Sequence, residues 1–209
     1  MHNNPFELLN NHFTVSRGTF ERLNIYHNLL LKWQPAINLV GKDTISDAWS
    51  RHFLDSLQLT KHIDDKQKII TDLGSGAGFP GMILAIFDYQ NIHLIESDAR
   101  KIAFLREVAR VTETKISIHH CRIENNPIDN VDIFVSRACA PLDKLLQLIS
   151  ESNSIKRVSR ETICLFHKGK NYSIENENAL LNWQYDLSVT PSIVDSQSVI
   201  LRLANIRKV

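Results

Sequence analysis

Four of the seven glycines in this chain lie close together, between Gly74 and Gly81. They follow the run Ile69–Leu73 and precede a stretch that Pro80 can begin as a helix, because the fixed backbone angle of proline suits the first helical position. A strand, a tight glycine turn and a helix together let the backbone approach a ligand closely and present free N–H groups to it. The cluster therefore predicts an α/β fold that binds a nucleotide-like ligand at this turn.

An acidic residue follows the glycine cluster at the spacing of a ribose-binding site. Glu96 lies twenty residues after Gly76, at the end of the next predicted strand, where a carboxylate can accept both hydroxyl hydrogens of a ribose. The pattern Gly74-x-Gly76-x-Gly78 differs from the Gly-x-Gly-x-x-Gly of NAD sites, which surrounds a pyrophosphate. It favours S-adenosylmethionine, an adenosine ligand without phosphate, over a dinucleotide or a glycine-rich turn that binds nothing.

The chain divides into a helical leader and an alternating α/β region. Apolar residues at steps of three and four predict a helix over Thr19–Leu39, and a second helical stretch is predicted over Ile45–His62. The following runs alternate as in a parallel sheet, with strands at Ile69–Asp72, His93–Glu96, Lys115–His119, Ile133–Ser136 and Thr162–His167 and helices at Pro80–Phe87, Arg100–Val111 and Leu142–Ile149. Trp183–Val189 and Ser198–Leu203 predict an antiparallel edge hairpin. We expect residues 1–66 to be a helical extension packed on a core domain of residues 67–209.

The charge balance and hydropathy pattern exclude several classes of protein. The 209 residues carry 24 Lys and Arg against 23 Asp and Glu, a net charge of +1, which excludes nucleic-acid binding by bulk charge alone but allows a local basic face. The longest uncharged stretch, Leu73–Phe87, has fifteen residues and is too short to span a bilayer. No Lys or Arg precedes Arg17, although a secretory signal begins with positive charge. We expect a cytoplasmic protein without a membrane anchor.

The cysteines and histidines predict no metal site. Cys121, Cys139 and Cys164 are widely spaced and contain no Cys-x-x-Cys pair, so we expect small core residues and neither disulfides nor zinc ligands. The nine histidines are scattered and are expected to have structural or surface roles. We expect no metal and a monomeric chain.

The stretch Asp72-Leu-Gly-Ser-Gly-Ala-Gly-Phe-Pro-Gly81 resembles the glucose-inhibited division protein B family, bacterial methyltransferases that act on guanine-N7 in small-subunit (16S) ribosomal RNA. The similarity extends over almost the whole chain, including Arg51-His-Phe-Leu-Asp-Ser56, Arg122-Ile-Glu124 and Ser136-Arg-Ala-Cys-Ala140. It implies a Rossmann-like class I methyltransferase fold with a mostly parallel sheet, S-adenosylmethionine as cofactor, and 16S ribosomal RNA or the small ribosomal subunit as partner.

The resemblance also implies the residues of a cofactor site. The implied set is the backbone around Gly74, Gly76 and Gly78, then Phe79, Glu96 near the ribose, Ile123 and Glu124 near the adenine, and Arg137. The last three follow predicted strands, and open α/β sheets bind ligands beyond the carboxyl ends of their strands. On the residues alone, Glu96, Glu124 and Arg137 could instead be exposed surface groups. Arg51 and Asp55 could form a helix ion pair or belong to the site.

The implied reaction needs no general base, because guanine-N7 already carries the lone pair that attacks the methyl group. We therefore expect no catalytic His or Cys. An arginine, with Arg137 as the candidate, should contact guanine O6 and leave N7 free. The expected phosphate contacts are Arg100, Lys101, Lys156, Arg157, Arg160, Lys168 and Lys170. An NAD-dependent oxidoreductase and a non-catalytic RNA-binding ribosome-assembly factor are the alternative functions.

Overall fold

In the computed structural model, which describes residues 4–152 and 162–209, the centre of the molecule is one seven-stranded sheet. Its strands are β1 Ile69–Leu73, β2 Asn91–Glu96, β3 Ser117–His120, β4 Ile133–Arg137, β5 Ile163–Lys168, β6 Trp183–Pro191 and β7 Val199–Lys208. Their order is β3-β2-β1-β4-β5-β7-β6. Strands β1 to β5 are parallel, β7 is antiparallel to β5, and β6 is antiparallel to β7. The expected mostly parallel sheet with an antiparallel edge pair is confirmed.

Helical segments connect and cover the strands. The α-helices are α1 Pro5–Asn10, α2 Arg17–Ile37, α3 Asp55–Leu57, α4 Gly81–Ile86, α5 Ala99–Val111, α6 Leu142–Glu151 and α7 Tyr172–Leu180. Shorter segments are the 3-10 helices Lys42–Asp47, Gln58–His62 and Ile123–Asn125 and the π-helix Trp49–Leu54. The second helical stretch of the leader is therefore not one helix but four consecutive segments of three types.

The sequence prediction missed two helices that lack a strong apolar period. Helix α1 begins at Pro5, and the Asn4 side chain accepts a hydrogen bond from the Phe6 N–H at 3.0 Å, so local capping defines it. Helix α7 buries only Ala179. Neither helix shows the amphipathic stripe on which the prediction depended.

The helical leader packs on one face of the sheet. Successive residues of β4 alternate between two cores: Ile133 and Val135 lie in the core that also contains Leu23 and Leu30 of α2, whereas Phe134 lies in the core on the opposite face. The division of the chain at residue 66 stays a prediction.

The order of the last two strands follows from their burial. In β7 the consecutive residues Val199, Ile200 and Leu201 are all buried, as in a strand covered on both faces, whereas most of β6 is exposed or half-buried. Strand β7 therefore lies between β5 and β6, and β6 forms the edge of the sheet.

Candidate active site

A cavity of about 690 Å³ lies beyond the carboxyl ends of β1, β4 and β5. Its walls come from the loops that follow these strands, from the leader, and from the loop between β6 and β7. Parallel α/β sheets bind ligands at this position, and the volume is in the range of about 300 to 1,000 Å³ that is typical of small-molecule sites.

Within the glycine loop, Gly76 is the residue that leaves space for a ligand. It lines the cavity, and a Cβ added to it would meet nothing closer than the Gly74 carbonyl oxygen at 3.9 Å. A Cβ on Gly78 would instead lie 2.9 Å from Leu105, Met82 and Tyr26, so this glycine is required by packing. Gly76 has a φ of +58°, which favours glycine. The turn thus contains one glycine whose Cβ position is unobstructed, whereas a Cβ on the other glycines of the turn would clash with neighbouring residues.

Two buried side chains hold the glycine loop in place. The Tyr26 hydroxyl, on α2 of the leader, donates a hydrogen bond to the Ala77 carbonyl oxygen. Where the loop ends and α4 begins, Oδ2 of Asp72 accepts a hydrogen bond from the Gly81 N–H at 2.9 Å. Burial raises the pKa of the Asp72 carboxyl group to about 7. The leader therefore fixes the middle of the loop, and β1 fixes its end.

Glu96 is buried against the same loop, with 7% of its surface exposed. Its Oε2 accepts a hydrogen bond from the Gly76 N–H at 2.8 Å, and its Oε1 accepts from the Ser97 and Asp98 N–H groups at 2.7 and 2.8 Å. Three backbone donors thus stabilise the carboxylate and fix its orientation at the end of β2. The alternative that Glu96 is a solvated surface acid is not compatible with this burial.

Arg137, the last residue of β4, has only 15% of its side chain exposed and lines the cavity. Its Cζ lies 5.0 Å from the centre of the Phe79 ring, within cation–π distance. Phe79 is itself buried and stacks on Tyr26, with ring centres 5.2 Å apart. The guanidinium group is therefore placed on an aromatic surface at the cavity wall.

The eight residues of the implied cofactor site are not equivalent in the structure. Gly74, Gly76, Phe79 and Arg137 line the cavity, and Glu96 lies next to the wall, where it accepts a hydrogen bond from the Gly76 N–H. Gly78, Ile123 and Glu124 do not line the cavity. Ile123 lies close to the loop, because a Cβ added to Gly74 would be 4.0 Å from its Cδ1 atom. Glu124 is half-buried. The assignment of these eight residues to a cofactor stays a prediction.

The two histidines at the cavity are buried and neutral. His52 has Nε2 2.8 Å from the Thr44 hydroxyl oxygen, and that hydroxyl donates to the Gly41 carbonyl oxygen, so Nε2 of His52 carries the proton. His167 donates from Nε2 to the Asp55 carbonyl oxygen at 2.8 Å. Among the described residues, Nδ1 of each ring is buried and has no hydrogen-bond partner. Burial lowers the pKa of both rings, that of His52 to about 3, with nearby Arg137 and Arg51 adding to the effect.

The His52 ring predicts a loss of stability in acid. A group whose pKa is lower in the folded state stabilises the fold fully above its unfolded pKa of about 6.5, and this contribution is lost as the pH falls towards 3. For His52 we expect the free energy of unfolding to fall by about 2 kcal/mol between about pH 7.5 and pH 5. Denaturant melts should show a shallower pH dependence for His52→Gln, whereas the exposed control His12→Gln keeps the wild-type dependence. Equal slopes for wild type and His52→Gln would contradict the prediction.

The structure changes the interpretation of the Arg51–Asp55 spacing. These two side chains do not pair with each other: Arg51 Nη1 lies 2.9 Å from an Asp195 carboxylate oxygen, and Asp55 Oδ2 lies 3.5 Å from Arg137 Nη1. The helix-pair interpretation is therefore wrong, because both residues pair with parts of the chain distant in sequence.

The candidate phosphate contacts are also not equivalent. Lys168 is buried, with Nζ 2.8 Å from a Glu175 carboxylate oxygen and 2.6 Å from the Ala140 carbonyl oxygen. Its ammonium group therefore forms an ion pair and a hydrogen bond within the protein. Lys101 lines the cavity, and the exposed Arg100 pairs with Asp98. Lys156, Arg157 and Arg160 lie outside the described residues.

One expectation about the cysteines is wrong. Cys164 is buried in β5, but Cys121 is half-buried and Cys139 is exposed. Cys139 follows the end of β4 and lines the cavity. The prediction assumed the usual burial of free cysteine, which does not hold in a loop that borders a site.

Residues 4–152 and 162–209 contain neither a membrane-spanning helix nor a metal-ligating cluster. They contain no helix with the length and hydropathy needed to cross a membrane. They also contain no cluster of three or more His, Cys, Asp or Glu side chains that could hold a metal ion.

The sequence of this chain matches the GidB family model, described as rRNA small subunit methyltransferase G, over residues 19–201. The chain belongs to this family. A ribosomal RNA small subunit methyltransferase G of Paramagnetospirillum magneticum is 45% identical over 194 residues, which cover 93% of this chain and 92% of that protein. The protein of the same name from Rhodospirillum centenum is 44% identical and matches over 93% of this chain and 88% of its own length.

Solved structures support the fold of this GidB-family chain. A ribosomal protein L11 methylase from Lactobacillus delbrueckii is similar with a TM-score of 0.57 and 15% identity, over 72% of this chain and 76% of that one. The magnesium protoporphyrin IX methyltransferase of Synechocystis, solved with bound SAM, is similar with a TM-score of 0.57 and 12% identity, over 91% and 98%. At these identities the likeness establishes the fold, and the expected class I methyltransferase fold is confirmed.

Proposed function

We propose that this chain transfers a methyl group from S-adenosylmethionine to guanine-N7 in 16S ribosomal RNA. The proposal depends on one observation: the cavity has free space at Gly76, next to Arg137, at the carboxyl edge of a sheet with the methyltransferase fold. Membership of the rRNA small subunit methyltransferase G family supports the RNA substrate. We further expect the chain to act as a monomer in the cytoplasm.

The residues at the cavity suit a cofactor that has an adenosine part and no phosphate. Gly76 leaves room at the loop, and Glu96 Oε2 accepts only one hydrogen bond from the described residues, so this oxygen can also accept one from a ribose hydroxyl group. S-adenosylmethionine supplies a methyl group on a positively charged sulfur atom. Phe79 and Arg137 form the wall next to this loop and would bound the space in which the methyl group is presented.

Neither of the two histidines that line the cavity among residues 4–152 and 162–209 can serve as a general base. In His52 and His167, Nε2 is used in an internal hydrogen bond and Nδ1 is buried, so neither ring can receive a proton from a bound substrate. Guanine-N7 needs no such acceptor: its lone pair forms the bond to the methyl carbon, and the bond from that carbon to sulfur breaks with its electron pair staying on sulfur. The positive charge passes to the purine, and the task of the protein is to align the two reactants.

Arg137 is placed to orient the guanine. Among the described residues, only its Nη1 donates hydrogen bonds to the protein, so Nε and Nη2 are free to donate to a ligand at the cavity. A donor to guanine O6 that leaves N7 unbonded would hold the base for attack. Lys101 and Arg51, also at the cavity, are the candidate contacts for the RNA phosphates.

We expect Glu96→Ala to weaken S-adenosylmethionine binding by about 1 to 3 kcal/mol, or roughly 5- to 150-fold, the cost of leaving a buried hydrogen-bonding group without its partner. The variant loses an acceptor for the ribose and leaves the Gly76 N–H without its partner. Isothermal calorimetry measures the effect. Glu107→Ala, which removes a half-buried acid paired with the exposed Arg110 on α5, is the control and should bind normally. An unchanged dissociation constant for Glu96→Ala would show that Glu96 has no part in the cofactor site.

The proposed function is tested by incubating the protein with isotopically labelled S-adenosylmethionine and either naked 16S ribosomal RNA or intact small subunits. The modified atom is then located by the chain cleavage that N7-methylguanosine undergoes after reduction and treatment with aniline. We expect the labelled methyl group at guanine-N7. Calorimetry should detect binding of S-adenosylmethionine and of its demethylated product, and no binding of NAD. Cofactor binding without transfer to either RNA would favour the assembly factor, and NAD binding would favour the oxidoreductase.

A further inference from the structure

The guanidinium group of Arg137 is anchored by the helical leader and not by the methyltransferase sheet on which Arg137 lies. Its Nη1 donates to the Arg51 carbonyl oxygen at 2.8 Å and lies 3.5 Å from Oδ2 of Asp55. Both partners precede β1, at the junction of the π-helix Trp49–Leu54 and α3. Asp55 is the only carboxylate within ion-pair distance of Arg137 among the described residues.

Asp55 is itself held in a fixed position. Its Oδ1 accepts hydrogen bonds from Gln58 Nε2 at 2.6 Å and from the Ser192 hydroxyl group at 3.3 Å. Its backbone carbonyl oxygen accepts from His167 Nε2 on β5. Gln58 is fixed in turn, since its Oε1 accepts from the Ile193 N–H at 3.1 Å. The carboxylate is thus tied to the leader and to the loop between β6 and β7, and the backbone of Asp55 is tied to β5.

The charges around this carboxylate leave it as the counter-ion of Arg137. Asp55 has 14% of its side chain exposed, and Arg137 has 15%. The neighbouring His167 is neutral, because burial lowers its pKa, and its Nε2 lies 3.9 Å from Oδ2 of Asp55. Because both side chains are mostly buried, an ion pair that is also hydrogen-bonded restricts the orientation of the guanidinium plane more than a solvated ion pair does.

We propose that Asp55 is a positioning residue for methyl transfer: it orients Arg137, so that the helical leader completes the active site. One edge of the guanidinium group is anchored through Nη1, and the opposite edge, with Nε and Nη2, donates no hydrogen bond to the described residues and is available to a ligand. This inference rests on the proposed function for its effect on catalysis. The anchoring of Arg137 does not depend on that function and has a readout of its own.

The first test observes Arg137 in the ligand-free protein by nitrogen-15 NMR of arginine side chains, with the signal assigned by its disappearance in Arg137→Lys. We expect separate, slowly exchanging Nη signals in the wild type and their loss in Asp55→Asn. The control is Asp88→Asn, which removes a different ion pair between leader and core, Arg22 to Asp88 at 3.2 Å, and leaves the Arg137 signals unchanged. Equal Arg137 signals in wild type and Asp55→Asn would overturn the proposal.

The second test is a double-mutant cycle on the rate of a single turnover at saturating RNA and cofactor. We expect Asp55→Asn to slow transfer by about 10- to 100-fold, as small misplacements of a positioning group do. Asp88→Asn should stay within about twofold of wild type, as for a surface ion pair. If Asp55 acts through Arg137, the pair Asp55→Asn/Arg137→Ala is no slower than Arg137→Ala alone. Multiplied losses in the double variant would overturn the proposal, because they would show an independent, structural role.

Two further outcomes distinguish a failure of this inference from a failure of the variant to fold and from a failure of the proposed function. If Asp55→Asn does not fold, as judged by its thermal melt, the cycle is repeated with Asp55→Glu, which keeps the charge, and multiplied losses there overturn the proposal equally. If the wild-type protein transfers no methyl group to RNA but shows the slowly exchanging Arg137 signals, the proposed function is contradicted while the anchoring of Arg137 by Asp55 is supported.

Discussion

Gly76→Val is expected to abolish measurable binding of S-adenosylmethionine while the protein remains folded. The Cβ position of Gly76 opens into the cavity, so the branched side chain would take the space that the ligand needs. At a φ of +58° the substitution also strains the backbone by about 1 to 2 kcal/mol. For a domain of this size we expect the melting temperature to fall by a few degrees. Calorimetry and a thermal melt of the same sample measure both effects.

The other glycines provide the controls for this experiment. Gly18→Val, near the start of α2, adds a side chain where nothing lies within 4 Å and should bind the cofactor normally. Gly78→Ala should instead lower the melting temperature, because its Cβ would contact Leu105, Met82 and Tyr26 at 2.9 Å. Retained micromolar binding by folded Gly76→Val would show that the ligand does not occupy this part of the cavity.

Arg137→Lys is expected to slow single-turnover methyl transfer by about 10- to 150-fold, the equivalent of one hydrogen bond to a charged group. Lysine keeps the positive charge but loses the planar fork, which can bond Arg51 and Asp55 on one edge and a ligand on the other. The effect is measured by quenching the reaction at saturating RNA and cofactor. Lys101→Arg, a conservative exchange at the same cavity, is the comparison that isolates the geometry of residue 137.

The same assay examines the absence of a general base. We expect the rate to show no ascending limb with an apparent pKa between about 5.5 and 8, the range in which a histidine base would titrate. The two cavity histidines support this expectation, since burial lowers the pKa of each and both nitrogens of each ring are bonded or buried. The mechanism would be abandoned if the rate rose tenfold per pH unit across this range. It would also be abandoned if substitution of one His, Asp or Glu other than Asp55, which acts through Arg137, removed transfer without weakening the binding of either ligand.

Much of the fold could be predicted because it depends on local patterns. The glycine cluster between β1 and α4 is a continuous stretch of sequence, and the side-chain period of two in the strands places alternate residues on opposite faces of the sheet. The predicted strands all exist, with ends that differ by one to a few residues, and the largest shift is in β7, which extends to Lys208. Strand ends depend on pairing with neighbours, which a single segment does not encode.

The sequence by itself determined the α/β order of the chain, the glycine turn and the acid that follows it, because backbone preference and apolar periodicity act between residues near one another in the chain. Only the tertiary structure decided that Asp55 pairs with Arg137 and that Lys168 is buried beside Glu175. It also decided that Gly76 is open whereas Gly78 is packed. Ion pairs and cavities form where segments distant in sequence pack together. The strength of each electrostatic interaction depends on how much water that packing removes. Neither the spacing of residues nor their type could therefore predict these ion pairs and cavities.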